Sequence, residues 1–142
     1  MSTLSRSAAA LAVALLLGAC SEGYPDESEV VMLHYGMERE EAVTAMNRIA
    51  EDTSRRNPTR FAWLEDCVLE MHVRRPVDGR ESRTLALKGS RAETDQHPDG
   101  EGYRVTLHRN GSDDPGQTVM HDLPWAEATQ MKWLLDYLQG TC

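Results

Sequence analysis

Five histidines and three cysteines have the widest chemical repertoire in this 142-residue chain, and their spacing decides how much of it is open to them. His34, His72, His97, His108 and His121 form no HExxH, HxH or other close metal-ligand spacing, so a metal centre would have to be assembled by the fold. His72 and His108 fall on the polar sides of two predicted strands, where Asp66 or Glu70 could join them as zinc ligands or as a general base. The solvated face of a sheet accounts for the same residues and is the expected reading. Asp95, His97, Asp99 and Gly100 match the first half of a calcium loop, but the twelfth position holds Thr106 where a bidentate Glu is required. A hairpin turn rich in Asp and Gly is the better account. Beyond residue 20 no serine lies in GxSxG, and no GxxxxGK[ST] cradles a phosphate. The expectation is a protein with no catalytic residue, no metal and no cofactor.

The first cysteine has a different chemistry. Arg6 is the one charge before Ala8–Leu17, an unbroken apolar run of ten residues, followed by Gly18 and Ala19. A membrane-spanning helix needs roughly 20 apolar residues, so this run fits a secretory signal at residues 1–19 better than a transmembrane segment. Leu17-Gly18-Ala19-Cys20 resembles the lipobox of bacterial lipoproteins. That resemblance implies cleavage before Cys20, diacylglycerol on its sulfur and a further acyl chain on the new amino terminus. Two or three chains, at about 0.8 kcal/mol per buried CH₂, anchor a protein firmly. Ser21 stands where an inner-membrane retention signal would place Asp, so the resemblance favours the outer membrane, facing the periplasm. Residues 20–28 read as the lipidated Cys20 and a flexible tether with Gly, Pro and acids, and 29–142 as a single domain.

Removing the signal changes the composition. Residues 1–19 hold 13 hydrophobic residues, which leaves about 36% in the rest against 40% overall, and the loss of Arg6 takes the net charge from −8 to −9. Such an acidic domain would repel nucleic-acid phosphate. Export also delivers the two remaining cysteines, Cys67 and Cys142, to an oxidising compartment, and neither has a CxxC partner. A disulfide clamping the chain's last helix onto its longest strand is expected.

Positioning these residues falls to predicted helices at both ends and strands between. Residues 30–52 read as mainly helical, with Ala42, Val43, Met46, Ile49 and Ala50 at helical spacing and Glu38, Glu40 and Glu41 in the first turns, while the period of residues 30–35 fits a short preceding helix or an extended segment equally. Residues 54–58 end this helix. Residues 61–74 alternate as one long strand and 82–94 as a second; 103–108 and 117–122 follow, with turns at 76–79, 97–100 and Asn110-Gly111. Asp122 is the expected N-cap of a final helix, with Pro124 at N1, a stripe of Trp125, Ala128, Met131, Leu135 and Leu138, and Gly140 at its end. The predicted class is α+β: a four-stranded antiparallel meander covered on one face by an N-terminal and a C-terminal helix.

Trp63 and Trp125 are expected to fill core. Trp133 and Tyr137, an i, i+4 pair beside the stripe, are the candidate partner-binding residues. Gly36-Met37-Glu38-Arg39-Glu40-Glu41-Ala42-Val43 resembles the Gly-Met-x-x-(Glu)-x-x-Val start of the first helix in small SmpA/OmlA-type outer-membrane lipoproteins. Those are accessory subunits of the β-barrel assembly machine, with helices on a three-stranded sheet. A non-catalytic, lipid-anchored envelope protein that binds another protein is therefore expected, of the assembly-accessory or immunity and inhibitor type. The alternative is a small metal-assisted periplasmic hydrolase using His72, His108 and nearby carboxylates.

Overall fold

A computed structural model describes residues 33–54, 58–77 and 79–142. The expected signal, lipidation at Cys20 and tether lie outside the described residues. The first helix, α1, spans Arg39–Thr53; before it, residues 33–38 make a turn and an extended lead-in, the extended one of the two readings open for residues 30–35 where these are described. Glu38 stands at its N-cap, and the Glu41 carboxylate accepts the Glu38 N–H at 2.7 Å. Six strands follow: β1 (Thr59–Leu64), β2 (Val68–Arg75), β3 (Gly79–Ala86), β4 (Ser90–Gln96), β5 (Tyr103–Arg109) and β6 (Gln117–Leu123). The last helix, α2, is Trp125–Gly140.

The class is α+β as expected, but the four-stranded meander is replaced by two antiparallel sheets of three strands, β1-β2-β3 and β4-β5-β6. Two turns without Gly-Pro or Asn-Gly signals account for the difference. Residues 61–74 fold back at Glu65, Asp66 and Cys67, where Asp66 and Cys67 adopt φ of 59° and 61°. Three residues separate the paired Leu64 and Val68, so Phe61 opposes Met71 and Trp63 opposes Leu69. The odd-numbered positions stay on one face through the turn, which is why the segment alternates as one strand would. Residues 82–94 break at Leu87–Gly89 and pass from one sheet to the other. There Gly89 takes φ 72°, the Ser90 hydroxyl donates to Ala86 O at 2.6 Å, and the Leu87 N–H reaches Cys67 O at 2.9 Å.

Each helix lies against its own sheet, α1 on β1 and α2 on β4 and β5, and the helices pack on each other. They contribute Met46, Ile49, Met131, Leu134, Leu135 and Leu138 to a core shared with Phe61, Leu69, Leu85, Leu87, Val105 and Leu123. Both helices also close a sheet edge. Asn47 of α1 donates to Phe61 O at 2.9 Å and accepts the Phe61 N–H at 2.6 Å; Asp136 of α2 accepts the Ala92 N–H at 3.2 Å. An edge strand otherwise presents unpaired N–H and C=O groups, and these side chains supply partners for β1 and β4. Asn47→Ala should therefore cost about 2 kcal/mol, because it leaves two part-buried Phe61 backbone groups unpaired. Faster hydrogen exchange at the Phe61 amide, with a lower urea midpoint, is the expected readout.

Candidate functional site

An open cleft of about 1210 Å³ lies where the first sheet outreaches α1. Only the near half of that sheet's inner face, including Phe61 and Leu69, is fully buried; the far half carries Val73, Arg75 and Arg83 into the cleft. Asp52, Thr53 and Ser54 at the end of α1 close one side. The opposite wall is β6, through Thr118 to Asp122, with Pro124 and Glu127 at the start of α2. Met71, Val119 and Met120 supply apolar floor.

The geometry of β6 follows from two slips in its pairing with β5. Thr106 opposes Thr118, but Val105 opposes Met120 and Tyr103 opposes Leu123, so β6 carries one extra residue at each step. The first bulge turns the adjacent Val119 and Met120 both inward. At the second, Asp122 takes φ 57° and its carboxylate meets His121 Nδ1 at 2.6 Å. Asp122 thus belongs to the strand, which corrects its expected place as N-cap; Pro124 stands there.

Charge around the cleft is unevenly satisfied. Glu81 pairs with Arg75 at 2.6 Å and also with Arg83 Nε. The Arg83 hydrogen bond, with the charges of Arg75 and Arg83, holds the Glu81 carboxyl below its ordinary range. On the other wall, Glu127 Oε2 is buried and without a hydrogen-bond partner among the described residues. Glu127 is the third residue of α2, as Glu41 is of α1, yet it faces a proline, which has no N–H for a carboxylate to accept.

The residues singled out in sequence are placed elsewhere. Trp133 and Tyr137 do stack, with ring centroids 5.2 Å apart and planes 6° from parallel. Both are half-buried by the chain's own lead-in: Tyr35 meets Trp133 edge-on at 5.9 Å, and the Tyr137 hydroxyl donates to Met37 O. Tyr35 itself is 88% exposed. Trp63 is half-buried beneath the Arg39 guanidinium at 4.3 Å. The expectation that Trp125 fills core is corrected: it opens α2 at the sheet margin, 60% exposed beside Tyr103.

The histidines are distributed rather than gathered. His72 in β2 lies 3.3 Å from Glu70, and His108 in β5 lies 3.5 Å from Glu93, in different sheets. Among the described residues no group of three or more His, Cys, Asp or Glu could hold a metal ion. His97 and Asp99, from the calcium-like stretch, pair with each other in the β4–β5 turn. The Glu101 N–H and the His97 ring lower the pKa of Asp99. Cys67 and Cys142 are joined in a disulfide, with Cα atoms 5.7 Å apart. No helix among the described residues is long and apolar enough to cross a membrane.

Sequence patterning gave no sign of the cleft, because it depends on where α1 stops relative to strands it packs against. The nearest signal was Pro124 followed by Glu127, a helix start whose third-residue acid lacks its usual partner. Compared with known protein families, characterised proteins and solved structures, the chain matches none.

Proposed function

We propose that this protein is a lipid-anchored, non-catalytic component of the bacterial cell envelope that binds another protein. The observation that carries the binding half is the cleft along β6, whose roughly 1210 Å³ exceeds the ~300–1,000 Å³ of small-molecule pockets and suits a polypeptide segment. The anchoring half rests on Leu17-Gly18-Ala19-Cys20 and its resemblance to a lipobox. The partner is an envelope-assembly component or a secreted toxin or wall hydrolase held in check. The net charge of −9 that remains once Arg6 is removed from the −8 of the full sequence would speed encounter with a basic protein of the second kind. Trp133 and Tyr137, with the exposed Tyr35, offer a second contact surface on the same partner.

Two measurements test the halves separately. Labelled palmitate should enter the full chain and should be lost in Cys20→Ala; label retained in that variant would end the anchoring reading. The detergent-solubilised full chain, crosslinked in envelope preparations, should recover one specific protein. Recovery of none would end the binding reading.

A further inference from the structure

The outward faces of the two sheets carry their charge differently. On the second sheet the charges are matched: Arg91 pairs with Glu93 at 2.8 Å, Glu93 also lies 3.5 Å from His108, and Arg104 faces Asp95 at 3.9 Å. The first sheet buries Phe61, Leu69, Met71 and Leu85, so Arg60, His72, Arg74, Arg80 and Ser82 point the other way and are exposed. Arg60, Arg74 and Arg80 form no ion pair among the described residues. The one carboxylate among the outward residues of these strands is Glu70, which accepts from the Ser82 hydroxyl at 2.7 Å and lies 3.3 Å from His72.

Arg74 and Arg80 stand directly opposite each other in the β2–β3 ladder. Like charges so placed are destabilising, and no carboxylate among the described residues relieves them. The same two arginines flank the tip of the hairpin, where Val77 is 91% exposed between the paired Arg75 and Gly79. A lone exposed valine is ordinary on a protein surface. This one sits between uncompensated guanidinium groups, which makes the tip amphipathic. Arg60 lies one strand over and two residues back, about 7 Å along the strands. In sequence, residues 74–80 hold three arginines against one acid, Asp78, within a chain whose net charge is −8.

We infer that the β2–β3 tip docks the domain on an anionic phospholipid bilayer, with Val77 entering the headgroup layer and Arg60, Arg74 and Arg80 pairing with lipid phosphates. This rests on the anchoring half of the reading above and gives the anchored domain an orientation. A bilayer surface offers phosphate and apolar interior side by side, whereas a soluble phosphate would use the arginines alone. An acidic chain is repelled by an anionic surface, so the face that approaches is the one where positive charge is unmatched. Three arginines and one valine bind weakly by themselves; a lipid anchor makes the docking intramolecular and so raises its occupancy.

The test places the full chain, labelled at its valine methyls, on nanodiscs of phosphatidylcholine with or without phosphatidylglycerol, each carrying a lipid spin-labelled near the headgroup. The Val77 methyl signals should broaden more than those of any other valine on the anionic discs and hardly at all on the neutral ones, and concentrated salt should reverse the effect. Arg74→Gln and Arg80→Gln should each lower the ratio of docked to undocked protein about fivefold. Neither should lower the thermal midpoint, since each removes a repulsion across the ladder. The proposal is overturned if Val77 does not broaden, broadens equally on both discs, or ignores the arginine substitutions. It is also overturned if soluble glycerol phosphate or polyglutamate shifts the Arg74 and Arg80 signals as strongly as the anionic discs do, which would make a free anion or an acidic protein the occupant. A chain that takes no palmitate yet shows Val77 broadening on anionic discs keeps the docking and ends the anchoring reading. A palmitoylated chain whose Val77 ignores the discs ends the docking alone.

Discussion

Replacing Cys67 and Cys142 together by serine should destabilise the domain by about 4 kcal/mol, the chain-entropy value for a bond spanning 75 residues. A domain of this size typically has ~5–15 kcal/mol of stability, so the variant should fold marginally and unfold ~15 °C lower. The structure gives the bond a specific task. Cys67 is the last residue of the tight turn between β1 and β2, in a left-handed conformation that L residues seldom adopt. Cys142 follows the last turn of α2. The bridge therefore holds a turn of the first sheet to the helix that covers the second. Calorimetry of the wild type with and without reductant, beside the double variant, checks the expectation. Thermal midpoints within a degree or two of each other would show that the bond contributes nothing.

Gly116→Ala should be the most damaging exchange in the loop between β5 and β6, at about 3 kcal/mol. Its φ of 79° is one that side chains resist, and a Cβ there would stand 2.7 Å from Thr106 Cγ2 and 2.8 Å from His108 Nδ1. The loop is thus folded down on the polar face of the second sheet. This explains why Thr106, on a face expected to be wet, is only 3% exposed. Gly111 in the same loop has φ 73° but open space around it, so Gly111→Ala should cost only about 1 kcal/mol, the backbone part alone. Urea unfolding of the two variants measures the difference. Equal losses would mean that the loop does not bear on Thr106 and His108.

The helices, the turn at 97–100 and the disulfide were legible because each has a strong local or chemical signature. The stripe of Ala128, Met131, Leu135 and Leu138 is buried as its spacing predicts. The turn at Glu65–Asp66–Cys67 left no mark in the pattern, since its odd length preserves side-chain parity and none of its residues is Gly, Pro or Asn. The pass between sheets at 87–89 was hidden for a related reason: Leu85, Leu87 and Ala92 are all buried, and the single Gly89 marks the break. Trp125 keeps the spacing of the stripe but is the first residue of α2, where the helix has not yet come under cover, and so stands 60% exposed. The cleft lay beyond reach of any pattern, being a property of relative lengths. Trp133 and Tyr137 were found as a pair, but their contact with the residue 35–37 lead-in joins parts of the chain about 100 residues apart.

The order of elements has a kinetic consequence. Among the described residues every strand pairs only with its neighbour in the chain, so both sheets consist of hairpins with short connections. Chains dominated by such local pairing have little loop entropy to surrender before contacts reward it, and they fold fast for their β content. The αβββ half and the βββα half can each collect their hairpins independently, and the slow search is reserved for docking one helix against the other. For a chain that emerges unfolded from synthesis, this shortens the time its apolar strands stand open to neighbours.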